Sequence, residues 1–144
     1  MDSLSTLGFD VNKTQKVELI HPKTDKPILD NEGNPAYIEV YGPYSDAARA
    51  YEKLSMDKRY AKFERTRKIS INSDTVQAQE TGYLVAITKD WYLVDFEGNP
   101  IEAECNKKNK ESIYSLPQYA WIKEQIDIAV GRASDFLQRP ASTS

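Results

Sequence analysis

The chain has 144 residues and a formal net charge of -3, and this length fits one domain better than two. The acidic balance argues against a dedicated nucleic-acid-binding protein, which needs a clear excess of Lys and Arg. The lone Cys105 cannot form an intramolecular disulfide and suits a reducing compartment. No apolar run approaches the roughly 20 residues that a membrane-spanning helix needs, and no signal-peptide pattern opens the chain. We therefore expect a soluble, cytoplasmic protein.

The first third of the chain predicts a small antiparallel unit. Residues 1–15 are mostly polar and are expected to form a flexible N-terminal arm. Residues 17–20 and 36–41 resemble strands, and turn-forming residues between them predict a hairpin or small meander. In the second strand, Ile38 and Val40 are expected to share one face.

The remainder is mainly helical by its pattern. Ser45 is the expected N-cap of a long helix from about 46 to 67, and a second helix ends near Thr88. Asn106 caps a short helix over 107–115, and a final helix runs from Pro117 to about Gln138. The sequence thus predicts an α+β domain over 16–138, in which a bundle of three or four helices follows the hairpin. Residues 139–144 are expected to form a disordered tail.

The tetrapeptide Glu-Gly-Asn-Pro occurs twice, at 32–35 and 97–100. Glycine, asparagine and proline are turn formers, so both copies predict tight turns. Because the flanking sequences do not match, we interpret them as two independent turns of favoured composition and not as an internal repeat.

No motif for chemistry is present in the sequence. The single His21 cannot build a histidine-rich metal site, and no zinc-binding, nucleophile-elbow or phosphate-loop spacing occurs. Cys105 follows Glu104 and lies near Glu102, whose charges are expected to raise the pKa of the thiol and disfavour the thiolate. We expect a protein that is not an enzyme and needs no metal or cofactor.

The long helix carries two apolar stripes at helical spacing, and a surface helix that packs against one core needs only one. The first stripe consists of Ala47, Ala50, Tyr51, Leu54 and Ala61. The second lies nearly opposite and either packs under the hairpin or the final helix, or binds a partner helix. The same two interpretations apply to Trp121 and Ile128, which lie off the main apolar stripe of the final helix. The candidate partner-binding residues are Met56, Tyr60, Phe63, Trp121 and Ile128.

Basic side chains cluster around the second stripe, within residues 53–68. One interpretation is a solvated helix face with salt bridges one turn apart. The other is a patch for an acidic partner or a nucleic acid, on which Tyr60 and Phe63 would stack against bases. The candidate basic rim consists of Lys58, Arg59, Lys62, Arg65 and Arg67.

The pattern from Trp91 to Phe136 points to a family. Trp91 is followed by an acidic, glycine-containing turn at 95–101, a helix start at 106–109 and a short helix that ends at Leu116-Pro117. A final helix with Gln125-Ile126 and Ala133-Ser134-Asp135-Phe136 completes the pattern. This arrangement resembles the tail assembly chaperones of long-tailed bacteriophages, and the upstream hairpin with its Gly-Asn-Pro turn is similar to the same proteins. The resemblance covers most of residues 15–137.

The resemblance implies a non-enzymatic factor that acts in the host cytoplasm during virion assembly and is absent from the finished particle. Such chaperones bind the tape measure protein and recruit tail tube protein, and homo-oligomers are compatible with this role. Two alternatives stay open. One is a structural virion component, such as a head–tail connector or tail completion protein. The other is a small nucleic-acid-binding regulator that uses the basic helix at 53–68.

Overall fold

The computed structural model describes residues 3–66 and 73–137; the expected tail at 139–144 lies outside the described residues. A three-stranded antiparallel sheet and four α-helices make up the described part, which confirms the α+β class. The strands are β1 (Thr14–Glu18), β2 (Tyr37–Tyr41) and β3 (Thr88–Tyr92). The helices are α1 (Asp46–Thr66), α2 (Ser73–Ile87), α3 (Lys107–Ser115) and α4 (Ala120–Val130). Short 3₁₀ turns cover Ser3–Leu7, Pro117–Tyr119 and Ala133–Phe136.

The sheet has the order β1-β2-β3, with β2 in the centre. Thr14 pairs with Tyr41 across β1 and β2, and Tyr37 pairs with Tyr92 across β2 and β3. Ile38 and Val40 are fully buried, as the alternation along β2 predicts. β1 begins at Thr14, inside the segment expected to be an arm.

Strand β3 is the element that the sequence did not reveal. It follows α2 without a loop and carries two exposed charged residues, Lys89 and Asp90, in its middle. The chain changes from helix to strand at the buried Thr88, whose hydroxyl donates to the carbonyl oxygen of Leu84 at 2.7 Å. The Thr88 hydroxyl oxygen also lies 2.7 Å from the hydroxyl of Tyr114, so this junction is tied to α3 as well.

The core lies between the inner face of the sheet and helices α2, α3 and α4. Its most completely buried side chains are Leu19, Ile38, Val40, Leu84, Ile87, Tyr114, Ile126 and Phe136. The N-cap of α3 is Asn106, as the sequence predicts, because its side chain accepts a hydrogen bond from the backbone N–H of Asn109 at 2.9 Å.

The predicted continuous helix from Pro117 to Gln138 is wrong. Helix α4 ends at Val130, and Gly131 follows it as the C-cap, a residue type that favours helix termination. The chain then forms the 3₁₀ turn Ala133–Phe136, which brings Phe136 back onto the sheet side of the molecule. Phe136 is therefore a core residue and not the end of a helix stripe.

Just beyond β1, the side chain of Gln125 forms the two backbone hydrogen bonds that a neighbouring strand would otherwise form. The backbone N–H of Ile20 donates to Gln125 Oε1 at 2.8 Å, and Gln125 Nε2 donates to the carbonyl oxygen of Ile20 at 2.8 Å. We expect Gln125→Leu to reduce the free energy of unfolding by about 1–3 kcal/mol, because it leaves two partly buried backbone groups without partners. Urea denaturation measures the change. The exposed Gln118→Leu is the control, and equal stabilities of the two variants would contradict the prediction.

Candidate partner-binding site

Helix α1 is far more exposed than its first apolar stripe predicts. Ala50, Leu54 and Ala61 are exposed, and among the described α1 side chains only Ala48 is buried. The first stripe is therefore only partly covered in the single chain, at Ala47 and Tyr51. The physical reason is that, among the described helices and strands, α1 packs mainly against α2.

Tyr51 joins the two helices. Its ring meets the ring of Tyr83 edge-on, with 6.2 Å between centroids, and its hydroxyl donates to the carbonyl oxygen of Gln79 at 3.1 Å. Gly82 makes this contact possible, because a Cβ at that position would overlap the Tyr51 hydroxyl. These contacts join the two consecutive helices side by side into an α1–α2 hairpin.

Gly82→Ala should therefore loosen the α1–α2 hairpin, although alanine favours helix over glycine by about 1 kcal/mol. We expect the net effect to be faster amide hydrogen exchange in α1, because the Tyr51 ring must leave its place against α2. Adding Tyr51→Ala removes the overlap and should restore part of the lost stability. Unchanged amide hydrogen exchange in α1 of the Gly82→Ala variant would show that the Tyr51 ring does not hold the two helices together.

A groove of about 400 Å³ lies between α1 and α2. Its wall includes Met56, which is 53% exposed, and Tyr60 follows one helical turn later at 63% exposure. Long apolar side chains beside a groove between two helices are the features by which proteins bind a third, amphipathic helix. The groove is lined by Tyr51, Glu52, Ser55, Met56, Gln79, Glu80 and Tyr83.

Both walls of the groove carry an acidic side chain, Glu52 on α1 and Glu80 on α2. Burial and the negative charge of Glu52 raise the pKa of the Tyr83 hydroxyl, which therefore stays protonated and able to donate. On the other wall, Glu80 accepts a hydrogen bond from Lys123 Nζ at 3.3 Å, and the same nitrogen lies 3.1 Å from Asp127. This ion pair connects the second wall of the groove to α4.

The other predicted residues of α1 are only partly described. Phe63 lies on the same helix face as Met56, seven residues further on, but its side chain is outside the described ones. Lys58 is exposed. Arg67 and the side chains of Arg59, Lys62 and Arg65 lie outside the description.

The predicted residues of α4 belong to a different surface. Trp121 is half-buried against the core and contacts the ring of Phe96, with 5.9 Å between centroids. Ile128 is 57% exposed. Because α4 packs on α3, β1 and β2, these two side chains have different neighbours from Met56 and Tyr60. The five candidate residues therefore do not form one site.

Phe96 is the exposed residue that sequence reasoning missed. Its side chain is 64% exposed, although its ring contacts both Trp121 and His21, the latter at 4.6 Å between centroids. The sequence pattern predicts only a turn in this segment. The sequence does contain a signal. The segments 30–35 and 95–100 share the pattern Asp-x-Glu-Gly-Asn-Pro, and the variable position is Asn31 in the first and the large apolar Phe96 in the second.

The two segments form the same turn. In the first, Asp30 Oδ1 accepts hydrogen bonds from the N–H groups of Glu32 at 2.9 Å and Asn34 at 2.8 Å. In the second, Asp95 Oδ1 accepts from the residues two and four positions further on, both at 2.9 Å. The glycines have φ values of 86° and 88°, which side-chain-bearing residues rarely adopt. The turns also touch, because the N–H of Asn31 donates to the carbonyl oxygen of Gly98 at 3.0 Å.

These aspartates predict an acid-sensitive fold. A hydrogen bond from the Tyr92 hydroxyl, at 2.6 Å, holds the pKa of Asp30 below its ordinary 3.8, and the backbone N–H of Asn99 lowers that of Asp95. A carboxyl with a lowered pKa stabilises the fold fully above about pH 3.8 and loses that contribution as the pH falls through its folded-state pKa. We expect the melting temperature to fall below pH 3.8 and less steeply in Asp30→Asn. Parallel pH profiles would contradict this.

The described residues hold no group of three or more His, Cys, Asp or Glu side chains that could bind a metal ion. The pKa of Cys105 is raised, as expected, but the cause differs. Burial raises it most, and Asp90 adds to the effect against the opposing charge of Lys110. Glu102 and Glu104 are not the source, because folding places other groups beside the thiol.

Comparison with protein-family models, with curated proteins and with solved structures finds no match for the chain. Within the described ranges, no helix combines the length and apolar character needed to cross a membrane.

Proposed function

We propose that the chain is a non-enzymatic phage tail assembly chaperone that binds helical segments of the tape measure protein and recruits tail tube subunits. The observation that carries this proposal is the α1–α2 groove with Met56 and Tyr60 exposed beside it. The resemblance of residues 15–137 to tail assembly chaperones supports the same conclusion.

The groove suits a helix that would otherwise expose apolar side chains. Covering apolar surface gains roughly 25 cal/mol for each Å² removed from water, without any need for converging polar groups. Met56 is unbranched and adapts to irregular partner surfaces, whereas Tyr60 offers a rigid ring with one polar end. Such a site binds related helices along a long partner without reading one sequence, which is what coating a tape measure protein requires.

Co-expression with a tape measure protein and a tail tube protein tests the proposal. We expect an affinity-tagged chain to retain the tape measure protein through purification and to be missing from mass spectra of purified virions. Presence in virions at a fixed copy number would favour a connector or tail completion protein instead. Failure to retain the tape measure protein would contradict the proposal.

The nucleic-acid alternative has its own test. A regulator that uses the basic helix would bind DNA or RNA in a strongly salt-dependent manner, because phosphate contacts release counterions. We expect no shift of a labelled duplex at low salt. Binding that weakens steeply between two salt concentrations would favour the regulator.

A further inference from the structure

The segment before β1 carries apolar side chains that face solvent. We define the N-terminal strap as residues 3–11, which begin with the single 3₁₀ turn Ser3–Leu7. Leu4 and Leu7 are 70% and 75% exposed, and Phe9 is exposed as well. Large apolar side chains that are exposed together mark a surface that packs against another surface.

Asn12 joins the end of the strap to the start of α1. Its side-chain Nδ2 donates to Asp46 Oδ2 at 3.1 Å, and its Oδ1 accepts a hydrogen bond from the backbone N–H of Asp46 at 2.9 Å. The second bond satisfies a backbone donor of the first helical turn, which has no partner within the helix. The strap is therefore anchored at the first residue of α1.

The anchor lies on the same side of α1 as the candidate partner-binding side chains. Residues at alternating steps of three and four form one stripe along an α-helix. From Asp46 these steps lead to Arg49, Lys53, Met56 and Tyr60. The strap thus starts on the stripe that exposes Met56 and Tyr60 beside the α1–α2 groove.

The strap is long enough to cover both side chains. A helix rises about 1.5 Å per residue, so Met56 lies about 15 Å and Tyr60 about 21 Å along α1 from Asp46. An extended chain spans about 3.3 Å per residue, so Leu7 reaches about 17 Å and Leu4 about 27 Å from the anchor. Leu7 can therefore contact Met56, and Leu4 can contact Tyr60, once the short 3₁₀ turn extends.

The charges of the two surfaces are compatible with this contact. Between the anchor and the partner-binding side chains, the stripe carries Arg49, which pairs with Asp46, and Lys53. The strap contains one acidic residue, Asp10, and no Lys or Arg, because Lys13 lies beyond the anchor. The strap therefore brings no like charge to the basic part of the stripe.

We propose that the N-terminal strap folds along α1 and covers Met56 and Tyr60 when no partner is bound, so that a partner helix must displace it. The described structure is the open state of this device. Because the strap is part of the same chain, its effective concentration at the stripe is about millimolar, and a weak contact is enough to close it. The inference rests on the proposed function only in treating this stripe as the partner-binding one.

Hydroxyl-radical footprinting of Met56 tests the strap without any partner, because the oxidation rate of the sulfur follows its exposure to solvent. We expect Met56 to oxidise several-fold faster in the Leu4→Ser/Leu7→Ser variant than in the wild type. Leu116→Ser, which removes an exposed apolar side chain elsewhere, should match the wild type. Equal rates in the wild type and the strap variant would overturn the proposal. Protection of the wild type that disappears on dilution would also overturn it, because a second copy would then be the cover.

Isothermal titration with a purified tape measure fragment separates this inference from the proposed function. A strap that is closed in about 90% of chains raises the apparent Kd about tenfold, because only the open fraction binds. We therefore expect the Leu4→Ser/Leu7→Ser variant to bind the fragment about tenfold more tightly than the wild type. Equal affinities would overturn the proposal. If the strap protects Met56 but neither chain binds the fragment, the strap stands and the proposed function fails.

Discussion

Replacing Met56 and Tyr60 together by serine is expected to weaken binding of the tape measure protein by about a hundredfold. Each side chain is more than half exposed in the free chain and would become buried only in the complex. Truncating a hot-spot side chain near the centre of an interface costs more than about 1 kcal/mol, and about 2.8 kcal/mol for the pair corresponds to a hundredfold change in Kd. Isothermal titration with a purified tape measure fragment measures this loss.

The controls for this double variant separate binding from folding. Because neither side chain is buried, the melting temperature should stay within a few degrees of the wild-type value. Ile128→Ser removes an equally exposed side chain from α4 and should bind the fragment like the wild type. Wild-type affinity in the double variant, or a loss of cooperative melting, would show that this surface has another role.

Phe136→Ala is expected to reduce the free energy of unfolding by about 3–5 kcal/mol, because it empties a large, fully buried site. This is a large share of the roughly 5–15 kcal/mol that stabilises a typical domain. The ring lies directly against Gly42, where a Cβ would overlap it. Gly42→Ala should therefore destabilise the chain through the same contact.

Thermal and urea denaturation measure both variants. Ser134→Ala changes an exposed position in the same 3₁₀ turn and should leave stability within about 0.5 kcal/mol of the wild type. A Phe136→Ala variant that loses less than about 1 kcal/mol would mean that the turn after α4 does not pack against the sheet.

The sequence alone predicted the elements in which the pattern of apolar and capping residues agrees with the burial found in the fold. The alternation in β2 placed Ile38 and Val40 on one buried face, and Asn106 marked the start of α3. It failed where tertiary contacts decide. β3 has charged residues in its middle and is a strand because β2 pairs with it. Helix α4 ends at Val130, and the chain turns after it so that Phe136 occupies a buried place.

The candidate site followed the same division. Helical spacing placed Met56 and Tyr60 on one helix face, since that spacing depends only on the helix, but it left open whether the rest of the chain covers this face. It could not show that Leu54 is exposed as well, because this depends on how little of α1 the rest of the chain covers. Identifying Phe96 as a candidate residue required the knowledge that two turns of nearly the same sequence adopt one geometry and lie side by side.

Photo-crosslinking from position 60 tests the central claim most directly. A photoreactive phenylalanine analogue in place of Tyr60 should crosslink to helical segments of the tape measure protein during co-expression, and the same analogue in place of Leu116 should not. Crosslinks from position 60 that fall only within the chain itself would contradict a partner-binding role for the α1–α2 groove.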